Sequence, residues 1–253
     1  MPVISVAYSP DGTMLASGSR DKTIKLWSLP DGNLLQTLTG HIDDVNSVAF
    51  NPNGEMLASG SSDDKVKLWN LPDGQLLKTL DEGPFHWEVH SVAFSPDGSM
   101  LASNSGSNIK LRSLPDGLLL KTLTGHSELI NSIVFSPDGT LLASASLDGT
   151  IKLWSMPDGL LLKTLTGHRG FVYTLAISPD GTLLASGSLN QIFLWDLNGA
   201  LLKTLTDPTL KEELPFDSNW VDFVCSCNAV CTCDSICTCD TITTTSCGYW
   251  FPN

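Results

Sequence analysis

Helical periodicity, long apolar runs and basic charge are all scarce in this chain, and each scarcity removes a class of answer. No window carries sustained apolar spacing at the helical period, so helix bundles and layered helix–sheet folds are excluded. No apolar run approaches the ~20 residues of a membrane-spanning helix. Lysine and arginine number 14 against 27 aspartates and glutamates, a formal net charge of −13. That balance argues against nucleic acid, whose affinity rests on cations that neutralise phosphates. It favours solubility and basic partners instead. Cysteine is missing from everything before Cys225; all 7 cysteines lie between Cys225 and Cys247. Met1 leads straight into the alternating stretch Val3–Ser9, so no signal peptide is visible. The expected location is cytoplasmic, with an extracellular one kept open by the cysteine-rich end.

What the chain does have is repetition. Ser-Pro-Asp-Gly recurs at Ser9–Gly12, Ser95–Gly98, Ser136–Gly139 and Ser178–Gly181, with an Asn-Pro-Asn-Gly variant at Asn51–Gly54. Leu-Ala-Ser-Gly-Ser or a near copy follows each time, and then a Lys-Leu-Trp run at Lys25–Trp27, Lys67–Trp69 and Lys152–Trp154. Lys110–Arg112 and Phe193–Trp195 are degraded versions. Five copies at a period of about 42 residues mean one supersecondary unit, duplicated and stacked.

One unit gives the local fold. Val45–Phe50 alternates and ends at a Pro-Asn-Gly turn, where Pro presets φ and Gly accepts the left-handed exit. Met56–Ser61, Lys65–Trp69 and Leu76–Leu80 follow as short β-rich runs separated by Ser62–Asp64 and Leu71–Gly74. Val66 and Leu68 fall on one face. Four short strands joined by tight turns make an antiparallel meander.

These residues resemble the WD-repeat β-propeller family. The marks are Gly-His before the first strand, at Gly40-His41, Gly125-His126 and Gly167-His168, and Trp closing the third. Only Trp195-Asp196 spells the family dipeptide. The resemblance covers residues 1 to about 206. It implies an all-β propeller of five four-stranded antiparallel blades, at about 1–40, 41–82, 83–125, 126–167 and 168–206. It also implies buried hydrogen-bonded tetrads of His41, Ser59, Asp63 and Trp69, and of His126, Ser144, Asp148 and Trp154. A third set, His168, Ser186 and Trp195, has Asn190 where the family has Asp.

The His–Asp–Ser groups mimic a catalytic triad. Regularly spaced copies of a nucleophile make little sense, whereas copies of a structural staple are what repeats produce. The third blade departs most: two extra residues sit in Asp81–Glu88, the turn Asp is missing near Gly106, and Arg112 replaces Trp. Its tetrad is expected not to form. The insertion is either drift or an exposed aromatic loop carrying Phe85, His86 and Trp87.

Five blades raise a closure problem. The family usually closes with seven, by letting one terminus donate a strand to the other terminus's blade. Here the first blade begins with its own innermost strand and the fifth ends with its own fourth, Leu201–Thr206. An open arc leaves an apolar face at each end, more than monomers usually expose. A strained ring, a ring completed by the tail, and assembly through open ends into a homo-oligomer or filament are the outcomes.

Residues 207–223 read as a linker that docks through Trp220 and Phe223, and 224–253 as a cysteine-rich tail of hexads opening at Val224, Val230, Ile236 and Ile242. An extended strand places every cysteine on one face. The paired thiols Cys225, Cys227, Cys231, Cys233, Cys237 and Cys239 are candidate ligands for Zn²⁺ or Cu⁺. A single strand cannot wrap an ion, so disulfides, a stacked hexad ladder and plain disorder stay open beside that reading.

The resulting expectation is a non-enzymatic interaction or assembly scaffold with a protein partner; the alternative is a metal-binding or redox-responsive protein acting through its tail. In the family, partners meet the loops before the first strand and between the second and third. The matching positions are Arg20, Asp43, Asp44, Ser62, Phe85, Trp87, Glu128, Leu147, Arg169, Phe171 and Leu189.

Overall fold

The repeat unit folds as expected and does so five times. A computed structural model describes residues 1–83 and 87–206 of the chain, and every sheet in it has four antiparallel strands in sequence order. The first sheet holds β1 (Val3–Tyr8), β2 (Met14–Ser19), β3 (Ile24–Ser28) and β4 (Leu34–Leu38). The second holds β5 (Val45–Phe50), β6 (Met56–Ser61), β7 (Lys65–Asn70) and β8 (Leu76–Asp81). The third holds β9 (Val92–Phe94), β10 (Met100–Ser105), β11 (Asn108–Ser113) and β12 (Leu119–Leu123). The fourth holds β13 (Ile130–Phe135), β14 (Leu141–Ser146), β15 (Ile151–Ser155) and β16 (Leu161–Leu165). The fifth holds β17 (Thr174–Ile177), β18 (Leu183–Gly187), β19 (Gln191–Asp196) and β20 (Leu201–Thr206). Among the described residues no helix is long and apolar enough to cross a membrane.

The Ser-Pro-Asp-Gly phrase explains the sharp first turn of each sheet. The Ser9 hydroxyl donates to Asp11 at 2.6 Å, and Asp11 accepts the Thr13 N–H at 3.0 Å. Gly12 takes the left-handed exit at φ 71°. Ser95, Ser136 and Ser178 repeat the arrangement with Asp97, Asp138 and Asp180. In the second sheet, amides do the same work: Asn51 Oδ1 accepts the Met56 N–H and Asn53 Oδ1 the Glu55 N–H.

Packing between sheets is one junction made four times. Ala16, Ile24, Leu26 and Leu38 of the first sheet bury against Val45 and Val48 of the second. Ala58, Val66, Leu68 and Leu80 meet Val89 and Val92. Ile109, Leu111 and Leu123 meet Ile130, Ile133 and Phe135. Ile151, Leu153 and Leu165 meet Val172 and Leu175. Each fully buried aliphatic side chain contributes roughly 1.5–3 kcal/mol.

A hydroxyl completes every junction. Ser5 accepts the Val48 N–H at 3.1 Å, Ser47 the Val92 N–H at 3.1 Å, Ser91 the Ile133 N–H at 3.0 Å and Ser132 the Leu175 N–H at 3.2 Å. These donors point out from the free edge of their own sheet and are satisfied by the sheet before. The innermost strands β1, β5, β9, β13 and β17 therefore form a stepwise series joined by side chain-to-backbone bonds.

Candidate functional site at the loop end of the sheets

Two tetrads form in full. His41 Nδ1 lies 2.8 Å from Asp63 Oδ2 and its Nε2 lies 2.8 Å from Ser59 Oγ, while Trp69 Nε1–H donates to the same hydroxyl at 2.9 Å. His126, Asp148, Ser144 and Trp154 reproduce these distances. The carboxylate can only accept, so the histidine carries its proton on Nδ1 and receives the serine proton at Nε2. Burial works against ionisation of Asp63, but hydrogen bonds from His41 and the Ile42 N–H hold its carboxyl below the usual range. Burial lowers His126, outweighing the opposite pull of Asp148.

Distances alone satisfy a catalytic triad; access does not. Ser59 and Ser144 are fully buried, and the indole N–H occupies each hydroxyl from the side. No substrate carbonyl can reach either oxygen, so the constellation is a staple. What it pins is the loop end of the blade: Asp63 takes the Ile42 N–H at 3.0 Å, and Asp148 the Ser127 N–H at 3.1 Å. The loop before the first strand is thereby tied to the turn between the second and third.

The other three sheets keep parts of the staple. The first retains only Trp27 Nε1–H on Ser17 at 2.9 Å, and Asp21 turns to Thr23 and Lys25. In the fifth, His168 and Trp195 both reach Ser186, at 2.7 Å and 2.8 Å. Asn190 is exposed and supplies nothing to the ring. His168 Nδ1 is buried without a hydrogen-bond partner among the described residues. Phe193 stands where Lys67 and Lys152 stand in the complete sheets and stacks on the imidazole, centroids 4.2 Å apart.

Among the described residues the third sheet has no His–Asp–Trp set, as expected, but its interior is not left empty. Ser103, the counterpart of Ser59, donates to Glu82 Oε1 at 3.0 Å, and Arg112 fills the tryptophan position. Arg112 stood out in the sequence as the replacement for Trp, but its partner Glu82 did not, because it is out of step with the histidines of the other blades. The available signal was Arg112 itself: a guanidinium at a buried position demands a nearby acid.

The positions expected from the sequence to face a partner lie around these staples. Arg20 and Asp44 form an ion pair at 3.4 Å between the first and second sheets. Ser62 donates to Glu88 at 3.1 Å and accepts from Asn46 at 3.0 Å, joining the second sheet to the third. Trp87 is 44 % exposed and rests on Gly106, where an added Cβ would fall 2.8 Å from its Cδ2. Asn104 holds the chain behind it, accepting the His90 and Ser91 N–H groups at 2.8 Å each. Phe171 is exposed and meets Tyr173 edge-on at 6.3 Å. Asp43, Glu128, Arg169 and Leu189 are exposed, and Leu147 is partly covered. Phe85, the 207–223 segment and all the tail cysteines lie outside the described residues.

Comparison with known proteins gives the same frame. The family model described as "WD domain, G-beta repeat" matches residues 1–28, 32–70, 74–113, 117–155 and 159–196. From the second onward, each matched repeat takes in the fourth strand of one sheet and the first three of the next. A "WD repeat, SAM and U-box domain-containing protein 1" of Danio rerio is 58 % identical over 40 residues, 16 % of this chain and 8 % of that protein. A "Lissencephaly-1 homolog" of Caenorhabditis briggsae is 48 % identical over 46 residues, 18 % of this chain and 12 % of the relative. A "Probable serine/threonine-protein kinase PkwA" of Thermomonospora curvata is 50 % identical over 40 residues, 16 % and 5 % of the two chains. The chain thus spans only a small part of the curated relatives it matches. With five matched repeats over most of its length and five four-stranded sheets, the chain belongs to the WD40 repeat family.

Proposed function

We propose that this chain is a non-enzymatic protein-interaction scaffold that engages a protein partner at the loop end of its sheets. The observation that carries the reading is the fixing of that end: buried staples and cross-sheet bonds immobilise loops whose tips are exposed. Arg20, Asp43, Asp44 and Trp87 are presented on a preset frame, so little ordering entropy opposes association. Family membership supports the class of function, because WD40 repeats generally mediate protein–protein interaction. The net charge of −13 favours partners with basic surfaces.

The test is affinity capture from a lysate with the full chain, beside Asp43→Lys/Asp44→Lys and Trp87→Ala variants. Capture of a defined partner that each variant weakens, with unchanged thermal melts, is expected. Identical recovery by all three chains would sink the assignment of this end.

A second reading rests on the spacing of Cys225, Cys227, Cys231, Cys233, Cys237 and Cys239. Paired thiolates at that spacing suit Zn²⁺ or Cu⁺ once two segments converge, and would make the tail a metal- or redox-responsive element carried by the propeller. Elemental analysis of anaerobically purified protein, with a six-fold Cys→Ser variant as control, decides it. Absence of copurified metal together with unaltered partner capture by that variant removes the reading.

A further inference from the structure

The four junctions of the fold have a fifth whose two halves are present but apart. Val3 and Val6 sit at the positions of Val45 and Val48 in the second sheet, and β1 pairs with β2 in the register that β5 uses with β6. Val45 and Val48 are buried, whereas Val3 and Val6 are each 59 % exposed. At the other end, Ile192 and Leu205 occupy the positions of Ile151 and Leu165. Those two are buried in the fourth sheet, while Ile192 is 47 % and Leu205 38 % exposed. Among the described residues, packing links each sheet to the next, and no packing of comparable extent links the fifth to the first.

The polar half of the junction is split in the same way. Thr174 stands on β17 where Ser5, Ser47, Ser91 and Ser132 stand on the earlier innermost strands, so a hydroxyl is kept at the open face. It is exposed, with no following sheet to serve. Val6 corresponds to Val48, whose N–H is taken by Ser5; the shared register aims the Val6 N–H out of the first sheet. One free face thus offers Ile192, Leu205 and a hydroxyl acceptor. The other offers Val3, Val6 and an N–H donor.

We propose that the fifth sheet of one copy packs on the first sheet of a second copy, forming between chains the junction that the chain already forms four times within itself. The Thr174 hydroxyl of one copy accepts the N–H of Val6 in the next. The occupant is a second copy because the two faces are complementary halves of one interface in apolar shape and in hydrogen bonding. The contact is heterologous, so it propagates from copy to copy until a ring closes or a filament forms. It does not depend on the loop-end reading above, since it uses the faces of the terminal sheets.

Sedimentation velocity on the full chain, over a concentration series, tests this with Val6→Glu and Ile192→Glu variants. Wild type is expected to form species larger than a monomer. Each variant keeps one intact face and is expected to be monomeric. An equimolar mixture of the two is expected to give a 1:1 dimer that grows no further, because only one pair of faces remains competent. Both positions are exposed; should either glutamate impair folding, Val6→Ser with Leu205→Ser repeats the design more gently.

A wild type that stays monomeric over the whole series would overturn the proposal; protection of the Val6 amide from exchange in that monomer would point to the chain's own residues after 206 as the occupant. A single variant that still dimerises, or a mixture that stays monomeric, overturns it as well. Partner capture by Val6→Glu separates this outcome from failure of the loop-end assignment, because that substitution leaves the loops untouched.

Discussion

Glu82 Oε1 lies 3.3 Å from Arg112 Nη2 inside the third sheet, in the space that a histidine and a tryptophan fill in the second and fourth. Both side chains are buried, and Lys110 Nζ approaches Glu82 Oε2 at 3.5 Å. Arg112 Nη2 also donates to the Asp81 carbonyl at 2.8 Å. A guanidinium–carboxylate pair has replaced an imidazole–carboxylate network, at the same serine and in the same shell. The substitution is incomplete as a hydrogen-bonding solution, for Glu82 Oε2 and Arg112 Nε have no hydrogen-bond partner among the described residues.

Removing one partner of such a pair strands the other in a medium that solvates it poorly. Glu82→Leu or Arg112→Met is therefore expected to cost about 3–5 kcal/mol, while Glu82→Leu/Arg112→Met costs much less than the sum of its single changes. Urea denaturation of the four chains closes the cycle. Single costs below about 1 kcal/mol would show that water reaches the pair and that it is not a staple.

Two of the three histidines that retain their serine, His126 and His168, differ in what their loss leaves behind. His126→Phe abandons Asp148, a buried carboxylate that also anchors the Ser127 and Thr150 N–H groups. His168→Phe abandons no acid, and relieves the unpartnered Nδ1 that already stacks on Phe193. The fourth-sheet variant is expected to be less stable than the fifth-sheet one by roughly 1–3 kcal/mol, the usual cost of a stranded buried polar group. Equal melting temperatures would refute the difference.

How much of this was legible in the sequence follows the same divide. The strands of the second sheet fall within a residue of the boundaries read from alternation and turn phrases, because tight turns fix register locally. Tetrad members were legible where the motif was intact. Glu82 was not, because a two-residue insertion moved the acid out of step with the histidines. Which sheet meets which is set by three-dimensional curvature, so the exposure of Val6 and Ile192 had no local sequence signature; both look like core residues, and the four counterparts of each are.

Acid should unfold the chain in two stages. Burial depresses His90, His126 and His168, with Glu88 and Asp148 pulling the first two back. The unfolded chain takes up these protons near pH 6.5 and the native chain does not, so stability is fully present above about 6.5 and declines below it. Each histidine adds at most about 1.4 kcal/mol per pH unit within its window. Asp63 and Asp148 have the opposite charge but the same slope: their lowered native values give stability that is present above about pH 3.9 and lost as pH falls further. The urea midpoint should drop between pH 7.5 and 5.5, and less so in His168→Phe. A flat profile over that range would mean that the histidines are solvated in the native state.

The hydroxyl series gives the last prediction, because it separates a bond inside the fold from its unpaired copy at the edge. Ser91 is buried and accepts the Ile133 N–H at 3.0 Å, a donor with no place in its own sheet. Ser91→Ala leaves that N–H without water or partner and should cost about 1–2 kcal/mol. Ser91→Thr keeps the acceptor, and the chain itself uses threonine at the matching position 174, so its cost should be smaller. Thr174→Val has no such donor to strand within one chain, and should leave the monomer's stability within about 0.5 kcal/mol. Melts under dilute, monomeric conditions test the set. If Thr174→Val proves as costly as Ser91→Ala there, the threonine hydroxyl already has an acceptor role inside the chain, and the open face of the fifth sheet is not free.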